Sequence, residues 1–320
     1  MKVFFSNKGG PGQAGRQEGS GTNVFARDKG GLKEPAALQG SRLGMMKEDI
    51  DFARFCKDCV ALKFRLKRFY SKFGKSRRDS EKLAKGLERI RLGLEKVDSW
   101  VAAFESNCLA SGKYSGAFPY FKAFASEGRE QYYLLKSRLL ASSSPQAGID
   151  FLSECIAGFK SGALFIERGY LYVRHFNDYE SAIPDFTSAC ELSPLDPLPY
   201  YSLASAQLRK GEVKDSLANS IIAINLDGNH PAYHYLRGQA HVGLSEFELA
   251  LESLDTTLAL GASSPDIYLL RAFCKDKMGD LKGSFMEADI ALSLFPGSLP
   301  VISLWHGLAS RMDWESKNHG

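Results

Sequence analysis

Apolar positions in this chain recur at steps of three and four, the spacing of a helix face. Leu62, Leu66, Phe69 and Phe73 make one such stripe, and Leu83, Leu87, Ile90, Leu94 and Val97 make a second. Two amphipathic helices are therefore expected between Lys47 and Val97. Gly74 and the Arg77-Arg78-Asp79-Ser80 string between them offer a turn and an N-cap. Residues 46–97 are thus expected to form a helical hairpin.

Further along, the same helical pattern becomes periodic on a longer scale. Ala182, Ser216, Ala250 and Ser284 are small and stand 34 residues apart, as do Ala189, Ala223, Thr257 and Ala291. Three apolar columns keep that step: Tyr179, Val213, Phe247, Leu281; then Ile183, Leu217, Leu251, Phe285; then Leu192, Leu226, Leu260, Leu294. Gly169, Ala204, Gly238 and Ala272 add small residues in the upstream half of each unit, and Pro197, Pro231 and Pro265 open successive units. Proline fits the first helical turn, where its missing N–H would have no partner anyway. The unit is helix, tight turn, helix, and repetition at a fixed step predicts an all-α solenoid.

A 34-residue unit with small residues at its positions 8, 20 and 27 resembles the tetratricopeptide repeat (TPR) superfamily. On that resemblance residues 162–296 form four repeats. The first departs from the pattern, with one extra residue before its turn and Pro184 inside its second helix. Gly112 to Phe124 is similar to the second half of a degenerate unit, with Ala117, Phe121 and Phe124 in the family's columns. Residues 98–161 are accordingly expected to hold degenerate TPR-like pairs: one over 98–131, then stretches at Gln131–Leu140 and Pro145–Phe159. Val301, Leu304, Trp305, Leu308 and Met312 make a last stripe, a capping helix within 297–320 that would cover the end of the stack.

The family lines its concave groove with first-helix residues. By position these are Tyr170, Arg174, Tyr201, Arg209, Tyr235, Gln239, Phe273 and Lys277. The resemblance implies a protein partner there, an extended peptide or a helix, held by rigid aromatic side chains. Some family members clamp acidic C-terminal tails with Lys and Asn. The corresponding positions here are Ile166, Tyr170, Ser202, Ala232 and Leu236, so that clamp is absent.

Charged and metal-capable residues have simpler readings. Arg168, Arg237 and Arg271 precede the small first-helix residue, and Asp185 and Glu287 are placed to pair with the first and last of them. His230, His234 and His241 lack a third ligand at zinc spacing, and Cys56-x-x-Cys59 has no completing pair. The six cysteines are scattered through helical sequence, which fits a reducing, cytoplasmic compartment. The opening residues do not make a secretory signal, and no run of about 18 apolar residues occurs.

Charge divides the chain. Residues 46–100 carry sixteen Lys and Arg against nine acidic residues, whereas residues 162–320 carry twelve against twenty. Lys63, Arg65, Lys67, Arg68, Lys72, Lys75, Arg77 and Arg78 fall in one stretch without an acid, interleaved with Phe64, Phe69, Tyr70 and Phe73. Such density suits a phosphate backbone or another polyanion as well as a solvated helix face. Residues 1–45 hold ten of the thirty glycines and are expected to be a disordered arm, a linker or an unconventional targeting or secretion signal.

No phosphate loop, nucleophile elbow, zinc-protease helix or EF-hand loop is present. The expectation is a non-enzymatic scaffold or adaptor without cofactor or metal. An RNA or ribonucleoprotein-associated protein docking through 63–78 is the alternative, and a secreted bacterial effector or secretion chaperone a third.

Overall fold

The computed structural model describes residues 57–59, 61, 62, 65, 80–111 and 118–319. The described elements are helical throughout, and the chain divides into two compact units, Met1–Cys155 and Ile156–Gly320. No described helix is long and apolar enough to cross a membrane.

In the first unit, α1 (Ser80–Ser111) packs against α2 (Phe118–Ser143), and α3 (Pro145–Gly158) follows and runs into the second unit. The second hairpin stripe is the core here: Leu87, Ile90, Leu94 and Val97 meet Tyr132 and Leu135, with Cys59 and Leu62 of the preceding helical segment beside them. Two boundaries differ from the sequence reading. The 97/98 boundary falls inside α1, because Trp100 and Val101 continue the apolar face and no Pro or Gly follows between Val97 and Ser111. Likewise α2 runs unbroken through 131, so residues 98–131 are not a helix pair of repeat length. The other residues of the first hairpin stripe, Leu66, Phe69 and Phe73, and the arm at 1–45 lie outside the described residues.

The second unit stacks helix pairs: α4 (Gly162–Leu171) with α5 (Tyr179–Leu192), α6 (Pro197–Lys210) with α7 (Val213–Leu226), α8 (Pro231–Gly243) with α9 (Phe247–Ala259), and α10 (Pro265–Lys277) with α11 (Leu281–Leu294). Each second helix also packs on the next first helix, and successive first helices touch. This is an α-solenoid of tetratricopeptide-like pairs. The small columns explain the close packing, since Ala182, Ala189, Ser216, Ala223, Ala250, Thr257, Ser284 and Ala291 are all fully buried or within 1% of it. At Ser284 the approach is close enough for its hydroxyl to donate across to the Ala272 carbonyl at 2.8 Å. The Leu192 to Leu294 column behaves otherwise: Leu192 and Leu294 are exposed, because that position ends the second helix at the edge of the stack.

The turns show why the unit is 34 residues long. Asn177, Gly211, Ser245 and Gly279 stand 34 apart and all adopt the left-handed conformation that lets the chain reverse between the helices of a pair. After each of the last three, an N–H returns to a carbonyl five residues back: Glu212 to Gln207, Glu246 to His241, Asp280 to Lys275. In the first repeat the bond is Asp178 to Tyr172, six back. The extra residue is absorbed there as a π-helical turn, Tyr172–Phe176. Pro184 leaves α5 continuous, on an exposed position in its second turn.

At the far end, α12 (Leu299–His319) packs on α11 and α10. Val301 and Leu308 are buried, Leu304, Trp305 and Met312 join them, and the Trp305 indole donates to Asp289 at 3.1 Å.

Candidate functional site

First helices α4, α6 and α8 each carry a tyrosine: Tyr201 and Tyr235 share one column, and Tyr170 stands in the next, with Gln239 and Phe273. Tyr170, Tyr201 and Tyr235 are all half-buried. The Tyr170 hydroxyl meets Ser202 Oγ on the neighbouring first helix at 2.7 Å, and its ring meets Phe186 edge-on at 5.4 Å. Tyr201 packs on the Ala204, Leu208, Leu236, Ala240 cluster, and its ring lies 5.2 Å from that of Tyr233. Tyr235 packs against the next cluster. Burial pushes the Tyr170 phenol up to about 12 and raises those of Tyr201 and Tyr235, so all three are neutral hydrogen-bonding groups at physiological pH.

The remaining candidates divide into two sorts. Arg174, Arg209 and Lys277 are exposed at the C-terminal ends of the first-helix segments, with Arg209 close enough to Tyr201 and Tyr235 to act on both electrostatically. Lys277 lies over the Phe273 ring at 5.5 Å. Phe273 also meets Phe247 of α9 edge-on at 6.2 Å and belongs to the packing between the third and fourth repeats. Sequence reasoning missed Tyr233, which is buried between Tyr201 and a stacked His230 at 4.4 Å. Its two-residue spacing from Tyr235 put it on another face of the helix, and no column marked it.

Polar groups read as structural have the partners their spacing suggests. Arg168 grips Asp185 through two bonds of 2.9 and 2.6 Å, and Arg271 grips Glu287 through two of 2.9 and 2.8 Å. His241 meets Glu246 at 2.7 Å and His234 meets the Gly228 carbonyl at 2.9 Å. Among the described residues no group of three His, Cys, Asp or Glu could hold a metal. Cys59 is buried, and burial raises the thiols of Cys155, Cys190 and Cys274 to about 11, which makes them poor nucleophiles. Cys56 lies outside the described residues. So do Lys63, Lys67, Arg68, Lys72, Lys75, Arg77 and Arg78; of the basic stretch only Arg65 is described, exposed on helical backbone.

No protein-family model matches this chain, and no curated protein matches it. Among solved structures it is similar to a thermophilic TPR protein of Thermus thermophilus, at 19% identity over 56% of this chain and 98% of that one, TM-score 0.45. It is similar to MamA of Desulfovibrio magneticus RS-1, residue 41 to the end, at 19% identity over 53% and 97%, TM-score 0.49. YrrB, a TPR protein with an unusual peptide-binding site, matches at 15% identity over 54% and 89%, TM-score 0.48. The class, a repeat solenoid of tetratricopeptide-like helix pairs, rests on this chain's own 34-residue geometry, given above.

Proposed function

We propose that the protein is a non-enzymatic scaffold or adaptor that holds a protein partner, an extended peptide or a helix, against the first helices of its repeat stack. The observation that carries this reading is the set of first-helix tyrosines, Tyr201 and Tyr235 in one column and Tyr170 in the adjacent one. Three half-buried rings with neutral hydroxyls have exposed cations nearby, Arg174 for Tyr170 and Arg209 for Tyr201 and Tyr235. Rigid amphipathic rings bury much area on binding and lose little rotamer entropy, which suits recognition of a segment whose sequence alternates apolar and polar groups. Phe273 contributes through packing between repeats rather than through direct contact.

The test is to capture partners with the full chain, then measure affinity and melting temperature of Tyr201→Ala and Tyr235→Ala. At a true hot spot each change weakens binding by about 1–4 kcal/mol while the fold survives. Full affinity in both, with binding abolished by Lys67→Glu and Arg68→Glu, would move the working surface to the basic stretch. Stability lost without any specific loss of affinity would make the rings packing residues only.

A further inference from the structure

The column before the small first-helix residue holds Arg168, Leu203, Arg237 and Arg271, and one of its three arginines differs in its partners. Arg271, on α10, reaches into the cleft between the second helices α9 and α11, where it donates to Glu287 of α11 and to Asp255 of α9. Arg168 spends its fork on Asp185 in the same way. By the 34-residue repeat, Arg237 on α8 takes the equivalent place between α7 and α9. There the Glu287 column holds Ser253 and the Asp255 column holds Ile221. The Arg237 Nε donates to Ser253 Oγ at 2.9 Å, and its two Nη groups meet no acceptor among the described residues.

This leaves a half-buried guanidinium whose planar fork has the shape to receive a carboxylate but faces none. The rim is apolar where the neighbouring cleft is acidic. Ile221 on α7 is 42% exposed, and Leu249, one turn before Ser253 on α9, is 46% exposed. Glu248 and Glu252 are exposed on the same helix and disfavour a tail of several acids. The fitting occupant is a single carboxylate with apolar neighbours.

We propose that the cleft between α7 and α9 is a second docking site, in which Arg237 binds one Asp or Glu side chain of a partner protein while Ile221 and Leu249 cover its apolar neighbours. The site is separate from the first-helix tyrosines and does not depend on them. In effect the partner supplies the carboxylate that Glu287 supplies internally one repeat later.

The test is an NMR titration of the full chain, observing arginine Nε–H and isoleucine δ1 methyl signals, with acetyl-Leu-Glu-Leu-amide as probe. Saturable shifts are expected at Arg237 and Ile221, with Arg168 and Arg271 unmoved. Acetyl-Leu-Gln-Leu-amide should bind about tenfold more weakly or worse, because it forfeits the charge-assisted bonds. Ser253→Glu fills the fork from within and should remove the response, and Arg237→Gln should remove it without adding bulk. The absence of saturable shifts, an equal response to the glutamine probe or to sodium sulfate, or an unchanged response in Arg237→Gln would overturn the proposal.

Discussion

The α1–α2 pair and the repeat stack are both helix-on-helix packing, but they solve it with opposite residues. Between α1 and α2 large side chains interdigitate: Leu87, Ile90, Leu94, Val97, Tyr132 and Leu135. Those helices are 32 and 26 residues long. In the stack, second helices of 13 or 14 residues present Ala, Ser and Thr where they meet their partners. Close approach through small residues fixes one geometry, and that geometry can be copied every 34 residues. Interdigitation of large residues fits one pair of helices and propagates nothing.

If this contrast is right, the two regions should fail in opposite directions. Leu135 is fully buried, so Leu135→Ala should cost about 2–5 kcal/mol by leaving a cavity between α1 and α2. Ala223, equally buried, should fail by excess: Ala223→Trp should cost about 1–3 kcal/mol or more, because the facing helix cannot withdraw. Denaturant unfolding of both variants checks this, and an unchanged midpoint for Ala223→Trp would remove the small-residue account of the stack.

Glycine sharpens the comparison at smaller magnitude. A Cβ on Gly169 would stand 2.6 Å from Phe186 Cε1 and 2.9 Å from its Cζ, and a ring only 1% exposed has no room to fold away. Gly169→Ala should therefore destabilise by roughly 1–3 kcal/mol. At Gly93, in α1, the nearest atom is the Leu62 Cδ1 tip at 3.1 Å. That tip can rotate, and alanine gains about 0.5–1 kcal/mol over glycine within a helix. Gly93→Ala is expected to be neutral or stabilising, and a melting-temperature comparison separates the two signs.

The same contrast decides what was legible in the sequence. The stack was read from columns, and Ala182, Ala223 and Ser284 lie where the columns put them because a small residue in a close crossing has no substitute. The left-handed Asn177, Gly211, Ser245, Gly279 series was equally regular and was overlooked, since three different residue types occupy it. In the front region the stripes predicted helices but not their ends. Nothing in Val97 to Ser111 breaks a helix, so no residue enforces the boundary expected at 97/98. For the candidate site, the resemblance supplied the first-helix aromatics, but no sequence pattern set Phe273, which turns toward Phe247, apart from the tyrosines. Arg237 was grouped with Arg168 and Arg271, and only its surroundings set it apart.

The smallest expected effect concerns charge, where the two regions again differ in burial. Arg129 of α2 meets Asp98 of α1 at 2.5 Å, with both side chains about a third exposed. Arg271 meets Glu287 with side chains 14% and 5% exposed, and Lys275 adds a further bond to the same carboxylate at 2.7 Å. Solvent screens the first pair, so a double-mutant cycle on Arg129 and Asp98 should give about 0–1 kcal/mol. The cycle Arg271→Met with Glu287→Gln should give about 0.5–3 kcal/mol. Acid distinguishes the buried pair further. Burial pushes the Glu287 carboxyl up, but Arg271 and Lys275 together outweigh it and hold it below its ordinary value. A carboxyl whose pKa is lower folded than unfolded stabilises the protein above its unfolded pKa, and that contribution is lost as pH falls through the folded one. Stability should therefore fall on acidification below about pH 5 more steeply in the native protein than in Glu287→Gln. Equal acid slopes for the two proteins would mean that the cations around Glu287 do no more than offset its burial, and the stack would then owe its close crossings to small residues alone.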